Sequence, residues 1–182
     1  MLYILNYLIE NKYIDEADTL FFKYCIEVTV FNFFSVISII IIAMLNNELE
    51  IGISFLLTFI AIRTNLGGFH CKTPVKCLML FPILYSLTGL VKNIITIKLF
   101  YYLSFISILL LFLAKPIKNN KEIINDDYNK CKKRLHIALK CIVAINLISI
   151  ISNIFNSIVI GVDIAVVLSL ILYIAKYLEM RN

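Results

Sequence analysis

Residues 26–45 read IEVTVFNFFSVISIIIIAML, twenty residues interrupted only by Glu27 near one edge and by Asn32. The hydrocarbon core of a bilayer is about 30 Å thick and takes roughly 20 helical residues to cross. Backbone polar groups at that depth must pair within the segment, so the run predicts a transmembrane helix. Outward from it, the same signal recurs over 78–97, 99–114, 135–155 and 158–177. A shorter run, 51–62, spans only by borrowing its neighbours or by thinning the membrane. The expectation is an all-α, polytopic membrane protein with six transmembrane helices. Composition agrees: of 182 residues, 61% are apolar and 16% charged, against about 45–50% and 25% in soluble domains. No soluble domain fits between the apolar runs, which leaves one membrane domain over 1–182.

The polar segments set the orientation. Residues 1–25 place Leu2, Leu5, Ile9, Tyr13, Ala17, Leu20 and Tyr24 near helical spacing, with charges mostly elsewhere on the wheel. This predicts an amphipathic helix lying on the membrane or on the bundle. A six-helix bundle over 26–178 follows, with an acidic turn at 46–50, a hairpin between 97 and 99, and a basic loop at 115–134 that Pro116 opens. The last two spans are expected to turn near Asn156 and Gly161. Loops rich in Lys and Arg stay in the cytoplasm. With both termini inside, 15 of the 17 basic residues fall on the inner side or its border, and only Lys92 and Lys98 fall outside. The cell membrane is the expected location, with the lipid bilayer as partner. Inward-facing lysines near anionic headgroups account for the net charge of +5, so no nucleic acid is needed.

Five cysteines, Cys25, Cys71, Cys77, Cys131 and Cys141, are scattered without paired spacing. A disulfide framework is not expected, and thiols in the basic stretch stay reduced in the cytoplasm. The acidic start, with Glu10, Asp15, Glu16 and Asp18, is unlike a signal peptide.

One segment is dense in reactive groups: Arg63-Thr-Asn-Leu-Gly-Gly-Phe-His-Cys-Lys-Thr-Pro-Val-Lys-Cys77, at the inner surface in this topology. A cysteine nucleophile needs a base within about 3 Å. In one straight helix His70 and Cys77 would stand about 10.5 Å apart along the axis, so a productive pair needs a bend between them. Pro74 disfavours a helical Thr73 and is itself favoured at a first helical position, with Thr73 as N-cap. Cys77 is then the fourth residue of the third span. Unpaired amides at a helix start, with Lys72 and Lys76 adjacent, favour a thiolate. Gly67 and Gly68 let the incoming chain fold back tightly.

The residues alone leave two readings open, a Cys-His pair or a structural turn, because cysteine is also among the most buried residues. Cys71, next to His70, is the weaker nucleophile, and Asn65 is a candidate oxyanion donor. A metal site from His70, Cys71 and Cys77 lacks a fourth ligand and C-x-x-C spacing. His136, Cys131 and Cys141 form no comparable constellation and read as structural. Glu27 and Asp163 are expected near span ends in contact with water, while Asn32, Asn146 and Asn153 read as interhelical hydrogen-bond formers. A non-enzymatic transporter or accessory subunit is the rival class. It would show polar or helix-breaking residues at mid-membrane together with internal repeats, and neither feature stands out clearly.

A basic residue, a Gly-Gly pair, an aromatic, a histidine and a cysteine seven residues later, between the second and third spans, resemble the accessory gene regulator B (AgrB) family of membrane cysteine endopeptidases. The resemblance covers the whole chain in length and layout, and its specific part is Arg63, Gly67, Gly68, Phe69, His70 and Cys77. It implies Cys77 as nucleophile, His70 as general base and acid, and Arg63, Gly67 and Gly68 as support. It further implies cleavage near the carboxyl-terminal region of an AgrD-like quorum-sensing precursor, through an acyl-enzyme thioester, with thiolactone closure and no cofactor. Lys72 and Lys76 would attract the precursor's acidic tail, and a homodimer is compatible with the family. Many members carry two basic residues before the glycines, whereas Thr64 follows Arg63 here, which weakens the role assigned to Arg63.

Overall fold

The computed structural model describes residues 19–67, 74–94, 97–117, 125–152 and 156–181. Among them the chain is entirely helical, with six helices: α1 (Thr19–Leu45), α2 (Leu49–Leu66), α3 (Pro74–Ile94), α4 (Ile97–Leu113), α5 (Asn125–Ser152) and α6 (Asn156–Glu179). Four contain a span long and apolar enough to cross a membrane, namely Ile26–Leu45, Leu49–Leu66, Tyr128–Ile151 and Ser157–Glu179. In α3 and α4 the apolar stretches are shorter, Leu78–Gly89 and Tyr101–Leu113.

The expected amphipathic segment 1–25 lies outside the described residues up to position 18, and from Thr19 the chain is already continuous with the first span. The α1–α2 turn follows from helix-end chemistry. Asn47 takes a left-handed conformation (φ 56°), which asparagine tolerates better than most residues. Its N–H donates to the Met44 carbonyl (3.1 Å) and that of Glu48 to Ala43 (2.8 Å), the paired bonds of a Schellman closure.

Two expected boundaries move. The basic stretch, expected as a loop with some helix in it, is helical from Asn125 onward. Asp126 and Asp127 stand in the first turn of that helix, where negative charge suits the positive end of the helix dipole, and lysine and arginine are good helix formers. Gly161, expected at a turn, is instead buried inside α6. It lies there because α6 presses on α2: a Cβ at this position would overlap the Ser54 hydroxyl and the Ile51 carbonyl. Gly161, Ala165 and Ser169 recur every four residues, the small-residue stripe that lets membrane helices approach closely.

Helices α2 and α6 form the centre of the bundle. One core cluster joins Ile39 and Ala43 of α1, Phe55 and Phe59 of α2, and Phe81 and Tyr85 of α3 to Ile164 and Leu168 of α6. A second joins Ile62 and Leu66 of α2 to Leu111 of α4, Leu135 and Leu139 of α5, and Val166 of α6. Most large side chains facing outward are apolar, such as Phe33, Leu57, Leu113 and Ile151, as lipid contact requires.

Candidate active site

The reactive segment begins where α2 ends. Leu66 is the last residue of the helix, and Gly67 follows with φ 74° and ψ −151°, its N–H donating to the Arg63 carbonyl (3.0 Å). This backbone conformation belongs to glycine. Space makes the same demand, since a Cβ on Gly67 would stand 2.8 Å from the Ile117 carbonyl oxygen. The chain leaving α4 passes there because the Ile117 N–H donates to the Leu66 carbonyl (2.9 Å), satisfying an acceptor that the helix end leaves open. The Tyr173 hydroxyl of α6 accepts from the Lys115 N–H and donates to its carbonyl, both at 3.2 Å. Residues 115–117 are thus tied to the ends of two helices.

Helix α3 begins at Pro74, the expected position, which makes Cys77 its fourth residue. Gly68, Phe69, His70, Cys71, Lys72 and Thr73 lie outside the described residues. Lys76 is exposed. Phe81 stands one turn beyond Cys77, and its ring is stacked edge-on to Phe59 (5.3 Å between centroids). The Arg63 guanidinium lies over the same ring, 5.7 Å from the Phe81 centroid, a cation–π distance. Arg63 is therefore brought to Phe81, the residue one turn beyond Cys77 in α3. Asn65 is turned back on its own helix, its Nδ2 donating to the Ala61 carbonyl at 2.8 Å.

Pro82 interrupts α3. Lacking an N–H, it cannot donate to the Leu78 carbonyl four residues earlier. Ser35 of α1 takes that place, its Oγ donating to Leu78 O at 3.1 Å while the serine itself is 5% exposed. A freed carbonyl inside a membrane helix needs such a partner. Beside this bond a groove of about 340 Å³ opens between α1, α2 and α3, apolar at Val36, Ile39 and Leu56 and polar at Asn32, Arg63 and Thr64. Sequence reasoning missed Ser35 and Phe81. A proline within a span was the visible signal for the first; nothing pointed to the second.

Elsewhere, the ring of His136 packs against Phe112 (5.4 Å), and it lines a basic hollow of about 330 Å³ with Asn129, Lys132 and Lys133. Cys131 and Cys141 are free thiols. Asp163 is not in contact with water as expected. It is 1% exposed and accepts hydrogen bonds from Ser104 Oγ (2.6 Å) and Asn146 Nδ2 (2.9 Å). Asn146 does form the interhelical bond expected of it, whereas Asn32 faces outward into the groove and Asn153 lies outside the described residues. Among the described residues no group of three or more His, Cys, Asp or Glu side chains is disposed to hold a metal ion.

Among the described residues, an all-helical bundle with four helices long and apolar enough to cross a membrane defines the class as an integral membrane protein. The family model described as Accessory gene regulator B matches residues 2–172, and the chain belongs to that family. Membership ties it to the processing of quorum-sensing peptides, with a propeptide as partner. No curated protein and no solved structure matches the chain.

Proposed function

We propose that the chain is a membrane cysteine endopeptidase that cleaves an AgrD-like propeptide, with Cys77 as nucleophile and His70 as general base and acid. The observation that carries this reading is the start of α3 at Pro74, with Cys77 in the first helical turn. Unpaired amides there favour a thiolate. His70 takes the thiol proton, Cys77 sulfur attacks a peptide carbonyl in the precursor's carboxyl-terminal region, and the C–N bond breaks as His70 returns the proton to the leaving amine. A thiol of the precursor then displaces Cys77 from the thioester. One thioester is lost and one is formed, so closure of a thiolactone needs no ATP where water is excluded.

The groove beside Phe81 suits apolar side chains of the bound peptide, and Arg63 at its polar end suits a carbonyl or carboxylate. Lys132, Lys133 and Lys76, exposed or half-exposed, suit an acidic tail. Six crossings with both termini inside remain our topology. Helix α3, with 21 residues, and α4, with 17, are about 31 and 25 Å long at 1.5 Å per residue. Both approach the thickness of the hydrocarbon core.

The test is cleavage of a co-expressed precursor. Cys77→Ala and His70→Ala each abolish it with membrane insertion intact, and Cys71→Ala leaves it in place; cleavage retained by Cys77→Ala overturns the nucleophile assignment. Topology is read in intact cells with a thiol probe that does not cross the membrane. Labelling of a cysteine placed at Lys72 would put the segment on the wrong side.

A further inference from the structure

At the end of the bundle away from Cys77, three helices meet on a polar joint. Ser104 of α4 and Asp163 of α6 each stand seven residues beyond the first residue of their helix, Asn146 six before the last residue of α5, all about 10 Å in from the helix ends. Ser104 is 0% exposed, and both Ser104 and Asn146 donate to the same carboxylate oxygen, Asp163 Oδ1. Both bonds run toward the carboxyl group, whose oxygen accepts them. A buried carboxylate without a counter-charge is costly, and an ionisable group inside a membrane bundle is a mark of function.

Among the described residues no side chain supplies that charge. Among the described side chains of the packed helices, the charged and titratable groups are Glu50 and Arg63 on α2, Tyr101 and Tyr102 on α4, and Tyr128, Lys130, Cys131, Lys132, Lys133, Arg134, His136, Lys140 and Cys141 on α5. Asp163 makes no ion pair with any of them; among the described residues its side-chain partners are Ser104 and Asn146. Two buried oxygens of α5 also lack a partner. Asn146 Oδ1 is one, and Ser149 Oγ is the other, on a residue 1% exposed. Ser149 follows Asn146 by three residues, so helical spacing puts both on one face of α5. Ser107, by contrast, is already used, donating to the Leu103 carbonyl (2.7 Å).

We propose that Asp163, Ser104, Asn146 and Ser149 form a binding site for a monovalent alkali cation, Na⁺ or K⁺, at the joint of α4, α5 and α6. The donor set is all oxygen, as a hard cation requires. With a single carboxylate, a monovalent ion leaves the site neutral, whereas divalent sites gather more carboxylates or waters. Rotation of the Asn146 amide presents Oδ1 to the ion, and Ser149 Oγ gains the partner it lacks. Anything that binds the folded state alone raises its stability with concentration. The site is independent of the Cys77 reading, lying at the other end of the bundle.

The experiment uses the full chain in lipid nanodiscs, with thermal unfolding followed in NaCl, KCl and choline chloride at constant ionic strength and pH 8. The wild type gains a saturable rise in midpoint from Na⁺ or K⁺ over choline, and Asp163→Asn loses the difference. Ser149→Ala removes no hydrogen bond, so it folds, and it moves the half-maximal cation concentration upward several-fold. Equal midpoints in all three salts overturn the proposal, as does a cation response that survives Asp163→Asn. A wild type that follows pH through Asp163 but ignores both cations also overturns it, in favour of a protonated carboxylate. Should Asp163→Asn fail to fold, Ser149→Ala decides alone: an unchanged half-maximal concentration overturns the site.

Discussion

Helices α1 and α6 both carry long apolar spans with few charges, yet only 17% of the α1 span is buried inside the protein against 56% of the α6 span. Apolar content tells which segments enter the bilayer and is silent on which of them sits at the centre. What differs is residue size and polarity. Helix α6 has Gly161, Ala165 and Ser169 in one stripe and a buried Asp163, whereas α1 turns Phe33, Phe34, Ile41 and Met44 outward. Close approach and hydrogen bonding, more than greasiness, choose the central helix, because lipid tails are as apolar as any neighbour.

Substitutions that give α6 the character of α1 should do the most damage. Gly161→Leu forces a side chain into the Ser54 hydroxyl and the Ile51 carbonyl and is expected to cost about 3 kcal/mol. Loss of the monodisperse peak in detergent, or a large fall in the unfolding midpoint, reads this out. A midpoint unchanged from wild type would mean that α6 and α2 are not in contact at that turn.

Gly67→Ala comes next, at about 2 kcal/mol for a side chain in a backbone conformation suited to glycine. The contact at stake is with Ile117. Precursor cleavage should fall with it, because the segment leading to Cys77 departs from this residue. Gly89→Ala is the control, since nothing stands within 4 Å of a Cβ there.

Ser35→Ala tests a place where α1 acts like a central helix. Leaving the Leu78 carbonyl without its donor should cost about 1 kcal/mol, measured by unfolding in nanodiscs, and the double variant Ser35→Ala, Pro82→Ala should recover part of it as the α3 ladder closes. Ile41→Leu, on a side chain 51% exposed, completes the series with a change below about 0.5 kcal/mol. A larger loss there would reveal a partner for α1 outside this chain.

Much of the fold was legible in the sequence. Apolar runs marked every helix, and Pro74 and Pro116 marked where α3 begins and where the chain leaves α4, because proline acts locally through its own ring. Boundaries inside basic sequence were not legible. The helix at Asn125 starts among charges that a hydropathy reading assigns to a loop, and only its first-turn aspartates hinted otherwise. For the site, the helix start at Cys77 was readable from Thr73-Pro74, and Gly67 announced a tight passage. The passing chain at Ile117, fifty residues away, left no local trace. Asp163 defeats the sequence reading because nearness to a span end suggests access to water, whereas Ser104 and Asn146, which bury it, come from other helices and no single-helix reading pairs them.

The bond from Ser35 to Leu78 has a mechanical consequence. Below Pro82, the first turns of α3 are not held by an unbroken ladder of their own helix; they are pinned from the side by α1, whose outer face meets lipid. A helix accommodates bilayer thickness by tilting. Tilt of α1 therefore pulls on Leu78, the residue next to Cys77, and lateral pressure in the surrounding lipid reaches the first turn of α3 through one serine hydroxyl.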